Sequence, residues 1–165
     1  MIKATQIRIR PHSSPPLPHI RVPQVHVIDD DPDKSRKIQL RLKPYGVIVL
    51  RSFDSVSGLM TLLEDKPDMI LANFIMPDHT GQRLIRWLRN NKETCRTPII
   101  VLTVRTDQQL QYQVESLGMV SYLTKPLEIA ELLRALRRYI PLPGDGHEAR
   151  SYVFHPPHRF IRLYR

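Results

Sequence analysis

The sequence predicts an α/β fold, a doubly wound five-stranded parallel sheet with helices on both faces. Two observations carry that expectation. Five short apolar runs are too continuous for strands with one wet face, which alternate, so they read as strands buried on both faces. Between them lie stretches whose apolar residues recur every three or four positions, the stripe of a helix packed on one side. Run and stripe alternate five times across residues 25–140, an order that suits a parallel sheet with right-handed crossovers.

The first run, Val25–Ile28, opens into Asp29-Asp30-Asp31-Pro32, where Asp31 suits a helix cap and Pro32 the first helical turn. Ile38 and Leu42 mark that helix. Val47–Leu50 is the second strand, and the stripe Val56, Leu59, Met60, Leu63 predicts a helix with that face on the core. Met69–Ala72 is followed by Leu84, Ile85 and Leu88, with Trp87 expected to pack between surface and core. Ile99–Leu102 is the fourth strand; the longer stretch around it, Pro98–Val104, is strand-sized and far short of the ~18 residues of a membrane span. Leu110, Val114 and Leu117 predict the fourth helix and Val120–Leu123 the fifth strand. Ile129, Leu132, Leu133, Leu136 and Ile140 give the last helix its apolar face.

Two segments stand apart from this core. Residues 1–24 form a basic arm with five prolines between positions 11 and 23, extended in character. Residues 141–165 begin Pro-Leu-Pro-Gly-Asp-Gly and become a basic, aromatic extension. In it Phe160, Arg162 and Tyr164 alternate with Ile161 and Leu163, and Gln6–Arg10 alternates likewise, so both tails are expected to hold short strands in need of a partner. Of the net charge of +9, the arm carries +4, the extension +2 and the core +3. The excess belongs to the tails and does not make the core a nucleic-acid binder.

One cysteine, Cys95, in a polar loop, excludes an internal disulfide and a cysteine metal cage. With no apolar signal segment in the first 24 residues, the expected home is the cytoplasm. The seven histidines show no metal spacing, and His155-Pro-Pro-His158 reads as a turn. There is no glycine-rich phosphate loop, nucleophile elbow or HExxH, so the chain is not expected to be an enzyme.

In an open parallel sheet, ligands sit beyond the carboxyl ends of the strands. The runs here end in Asp29-Asp30-Asp31, Asn73, Thr103 and Lys125-Pro126. A carboxylate cluster, an amide, a hydroxyl and an ammonium at one edge are equipment for a hard divalent cation and a phosphate-like anion.

Those motifs, Val-His-Val-Ile-Asp29-Asp30-Asp31-Pro, Asp68-Met-Ile-Leu-Ala-Asn73-Phe-Ile-Met-Pro77-Asp-His-Thr-Gly81, Pro98-Ile-Ile-Val-Leu-Thr103 and Ser121-Tyr122-Leu-Thr-Lys125-Pro126, resemble those of a chemotaxis-type receiver domain of two-component response regulators, over about residues 24–140. The resemblance implies a flavodoxin-like sheet of order 2-1-3-4-5. It also implies roles: Asp29 and Asp30 at a Mg²⁺ site, Thr103 as the hydroxyl bonded to the phosphoryl group, Lys125 as its ion partner, and Tyr122 as the aromatic that rotates on activation. The family's acceptor is an aspartate at the end of the third strand. Here that position is Asn73.

An aspartate carboxylate attacks a phosphohistidine to form an acyl phosphate, whereas an amide oxygen is neutral and delocalised. Asn73 is therefore expected not to accept phosphate, and the Mg²⁺ site of Asp29 and Asp30 to be weakened by the lost charge. Lys125 is expected to turn to Asp30 instead. Val104 stands where the resemblance implies a small residue, which points the same way.

The leading expectation is thus a phosphorylation-independent pseudo-receiver acting by protein–protein contact with a sensor kinase or downstream signalling protein. Its surface would be the fourth helix, fifth strand and fifth helix, with Arg134, Arg137 and Arg138 as a basic edge, and homodimerisation through that face or the terminal strands is a further expectation. Two alternatives stand beside it: a receiver switched by metal, anion or non-covalent kinase binding, and a nucleic-acid-associated module using the basic tails. No contact with a membrane is expected.

Overall fold

The computed structural model describes residues 21–77, 80–105, 107–118 and 121–142. The strands expected in the two tails, the His155–His158 turn, Asp78, Val120 and the Val114 side chain lie outside the described residues. The elements run β1 (Gln24–Ile28), α1 (Pro32–Leu42), β2 (Ile48–Ser52), α2 (Ser55–Asp65), β3 (Met69–Asn73), α3 (Thr80–Asn90), β4 (Ile99–Thr103), α4 (Gln108–Ser116), β5 (Ser121–Thr124) and α5 (Ile129–Leu136). All pairings are parallel and the strand order is β2-β1-β3-β4-β5, the flavodoxin-like order.

The continuity of the apolar runs follows from this layering. In β3, Met69 and Leu71 join one core with Val25, Val27, Ile100 and Leu102, capped by Ile38 and Leu42 of α1 and Leu132, Leu133 and Leu136 of α5. Ile70 and Ala72 join the opposite core with Ile28, Ile99 and Val101 under Leu62 of α2, Ile85 and Leu88 of α3 and Leu110 of α4. Successive side chains thus meet apolar neighbours on both faces. The second strand runs past its apolar stretch to Ser52 because the ladder continues there, the Asp29 amide donating to the Ser52 carbonyl at 3.1 Å. On the outer edge of β2, Gln39 Nε2 donates to the Val49 carbonyl at 3.2 Å.

Two helices differ from expectation. The stripe Val56, Leu59, Met60, Leu63 meets the core only in part, with Leu59 packed against it: α2 buries Gly58 and Leu62 and leaves Val56 and Met60 largely exposed. The cause is close packing, since a Cβ on Gly58 would come within 3.0 Å of the Ile28 side chain. The smallest residue of α2 therefore sets which face approaches the sheet. The last helix ends at Leu136, yet Ile140 remains buried. A tightened turn carries it in, with the Tyr139 and Ile140 amides both donating to the Leu136 carbonyl.

Polar groups inside are few and mostly partnered. Arg89 of α3 donates from Nε to the Gly118 carbonyl at 2.8 Å and from Nη1 to those of Thr97 and Cys95 at 2.8 and 3.3 Å, pinning the loops before β4 and β5 together. Burial lowers its guanidinium to about 10, still charged at neutral pH. His26, fully buried on β1, shares a hydrogen bond with Ser52 Oγ at 2.9 Å, and its Nδ1 has no partner. Desolvation lowers its pKa from 6.5 to about 4.

Because the unfolded chain protonates His26 below pH 6.5 and the folded one only near 4, acid favours the unfolded state through that window. Stability measured by urea denaturation should be intact at pH 7 and lose on the order of 3 kcal/mol from His26 between pH 6.5 and 4. A His26 imidazole resonance that titrates near 6.5 in the folded protein would contradict this.

Candidate functional site

The carboxyl edge of the sheet brings Asp29, Asp30, Asn73, Thr103 and Lys125 together, as the strand ends require. Asp31 separates from them: its carboxylate caps α1, accepting from the Asp33 and Lys34 amides, both at 3.0 Å, with Pro32 in the first turn. A contact with Lys34 Nζ at 2.8 Å helps hold its pKa down at about 2.

Asp29 is the buried member of the pair. One of its oxygens accepts from the Asp31 amide at 3.1 Å and the other from Lys125 Nζ at 2.7 Å, with 1% of the Asp29 side chain and 15% of Lys125 exposed. Asp30 points outward and accepts from Asn73 Nδ2 at 2.7 Å. Reversing that amide would set two acceptor oxygens against each other, so the amide nitrogen belongs on Asp30.

Lys125 therefore pairs with Asp29 and not with Asp30 as the sequence led us to expect. The Lys125 amide donates to the Thr103 carbonyl at 2.7 Å, which seats the lysine beside the sheet end, where the buried Asp29 carboxylate lies within reach. The Asn73 amide already occupies Asp30. Thr103, almost fully buried, accepts the Arg105 amide at 3.0 Å on its hydroxyl oxygen, a local turn contact. Tyr122 is half-buried and packs against the core formed with α2, α3 and α4. Val104 projects outward.

One feature of the edge escaped the sequence reading. Arg105 and Asp107 form a two-pronged ion pair at 2.8 and 2.7 Å where β4 passes into α4. The spacing Arg-x-Asp was its only trace. The pair sits beside Val104 and orders the approach to α4, whose Leu110 amide also bonds Asp107 at 3.0 Å.

The side chain that meets the acidic pair from β3, Asn73, is neutral. Among the described residues no group of three His, Cys, Asp or Glu side chains could hold a metal ion. The peptide bond between Lys125 and Pro126 is cis. Gly81 at the start of α3 lies so close to the end of β3 that a Cβ there would meet the Phe74 and Asn73 carbonyl oxygens at 2.5 and 2.6 Å.

A family model described as a response regulator receiver domain matches residues 25–137. The chain is 29% identical over 116 residues to the DNA-binding dual master transcriptional regulator RpaA of Synechocystis, covering 70% of this chain and 48% of that protein. It is 27% identical to protein PilH of Pseudomonas aeruginosa, covering 68% of this chain and 93% of PilH. Among solved structures, the receiver domain of a P. aeruginosa sensor histidine kinase, with a magnesium ion in its active-site cleft, superposes with a TM-score of 0.65 at 28% identity, covering 72% of this chain and 98% of that one. The chain thus spans about half of RpaA's length and nearly all of PilH's.

The buried ion pair sets a stability prediction. Lys125→Met strands the Asp29 carboxylate and should cost about 3–5 kcal/mol in urea unfolding. The double variant Asp29→Asn/Lys125→Met should recover most of that loss. A single variant as stable as the wild type would show that the pair is not formed.

Proposed function

This chain belongs to the response regulator receiver family, and from that premise we propose that it signals without phosphotransfer, as a pseudo-receiver acting through protein–protein contact in the cytoplasm. The observation that carries the reading is Asn73 at the acceptor position, its amide N–H held on Asp30 at 2.7 Å. An acceptor must present an anionic oxygen to phosphorus. Asn73 has none, and its hydrogen faces the acidic pair.

The same contacts bear on Mg²⁺, which the family implies. A hard cation takes oxygen ligands, charged ones by preference. Both Asp29 oxygens are engaged, Asp30 receives an amide hydrogen, and the third position contributes no charge. The residues present do not fit a strong Mg²⁺ site, and no step is routed through the metal.

What remains is a sheet edge tied internally by Lys125–Asp29 and Asn73–Asp30. Such an edge holds one arrangement without phosphate. The surface available for a partner is that of α4, β5 and α5, where Tyr112 and Val104 are exposed and Arg134 and Arg138 line the solvent side of α5 and its end. A sensor kinase or a downstream signalling protein is the partner this reading names.

Incubated with acetyl phosphate and Mg²⁺, the full chain should gain no phosphoryl mass, whereas Asn73→Asp should gain one. A stable adduct on Asn73 would sink the proposal. Titrating the wild type with Mg²⁺ while following Trp87 fluorescence should give no saturable change, and a saturable one would favour the metal-switched alternative. Steeply salt-dependent nucleic-acid binding lost on deleting residues 1–24 and 141–165 would favour the tail-borne alternative.

A further inference from the structure

The core's net charge of +3 is unevenly placed. α1 turns Ser35, Ile38 and Leu42 inward, so Arg36, Lys37 and Leu40 fall on its outward arc, and Lys43 follows at its end. α5 turns Leu132, Leu133 and Leu136 into the same core, which leaves Arg134 outward and Arg138 one turn further on. Arg41 joins the two helices, its Nη1 donating to the Leu127 carbonyl at 2.7 Å. All six bases are exposed.

Acids keep to one end of this layer. They stand where the helices begin, Asp31 and Asp33 on α1 and Glu128 and Glu131 on α5, and none occurs from Lys34 to Phe53 or from Leu132 to Leu142. Because each helix of a parallel sheet runs back toward the strand starts, the bases lie from the middle of α1 to that amino edge. Asp68 and Glu93, elsewhere on the edge, already face Arg21 and Lys66 at 4.0 and 3.4 Å, and Glu64 and Asp65 end α2, which packs on the opposite core. The six bases exceed the core's whole excess, so the rest of residues 25–140 is net acidic. Both basic tails, +4 and +2, join the domain at this same edge, before β1 and after α5.

We propose that the outward side of α1 and α5 is a nucleic-acid surface that takes the phosphate backbone of a duplex without reading its sequence. The folded core, and not the tails alone, then supplies the binding groups. The occupant follows from what this side carries and lacks. Phosphate contacts need only spread cationic groups, which bind by releasing counterions. A protein partner would need an apolar centre and an anionic membrane apolar residues to insert, yet Leu40 is the one large apolar side chain exposed on these two helices. A single strand would need aromatics to stack on, and neither helix contains one. A second copy brings the same bases and is repelled.

The full chain is titrated into a fluorescein-labelled duplex of random sequence, about 20 base pairs or two turns long, and anisotropy is followed from about 50 to 200 mM salt. Affinity should fall about tenfold or more across that range. Lys37→Glu/Lys43→Glu and Arg134→Glu/Arg138→Glu should each weaken binding about tenfold or more and flatten the salt dependence by about two phosphate contacts. Arg83→Glu/Arg86→Glu, which removes two exposed arginines from α3 on the other layer, makes the same change in charge and should cost less than about threefold. Circular dichroism should show the fold retained in all three.

Absence of binding, binding indifferent to salt, or an equal loss in the α3 variant overturns the proposal. So does indifference to the α1 and α5 variants, which would leave the tails as the binder. Tighter binding of oligothymidylate, polyglutamate or anionic vesicles, sensitive to the same variants, overturns it in favour of that ligand. None of these arms depends on phosphotransfer: a phosphorylated Asn73 would defeat the functional reading and leave this one standing, and failure here leaves the functional reading as it was.

Discussion

The contact between Lys125 and Asp29 joins the end of an edge strand to the end of a central one, across two strands that lie between them. Parallel strands depend on helices to cover both faces, but nothing in that layering closes the carboxyl edge. Here a buried ion pair at 2.7 Å does so, and the Asn73–Asp30 bond ties the third strand to the first beside it. Neither charge is cheap to bury alone. Each is held because the other is there, and the position of β5 relative to β1 becomes part of the site's chemistry.

On the proposed reading, Asn73 at the acceptor position changes more than a nucleophile. A carboxylate there would crowd a third negative charge against Asp29 and Asp30 and require a cation to settle it. The amide instead supplies a hydrogen to Asp30. A pocket that would lean on outside ions for neutrality becomes nearly self-sufficient, with the Lys125 ammonium on Asp29.

Much of the fold could be read from residue order because both faces of the sheet are apolar. Runs such as Ile99–Leu102 have no wet side, so their strand character shows without knowledge of their neighbours, and the strand-end residues of the site follow from topology alone. The orientation of α2 could not be read the same way. Its periodicity marked one stripe, Val56, Leu59, Met60 and Leu63, but Gly58, whose lack of a side chain lets the helix settle on Ile28, turned another side inward. Hydrophobicity marks Val56 and Met60 as candidates for burial, but the approach distance decides. The partner of Lys125 was hidden for a similar reason: Asp29 and Asp30 are adjacent and chemically identical, and only the three-dimensional placement of Asn73 and the Thr103 carbonyl tells them apart.

The Gln39 contact on β2 bears on how the sheet meets other chains. An edge strand exposes alternate backbone groups that can template a foreign strand and begin aggregation. In β2 the outward-facing residues are Val49 and Arg51, since Ile48 and Ser52 bond toward β1. One of those outward carbonyls is already taken by Gln39, and the charged side chain of Arg51 bends back to Ser35 and Pro32. The sheet is thus guarded on this flank by its own first helix, whose Gln39 and Ser35 side chains do for β2 what a neighbouring strand would otherwise do.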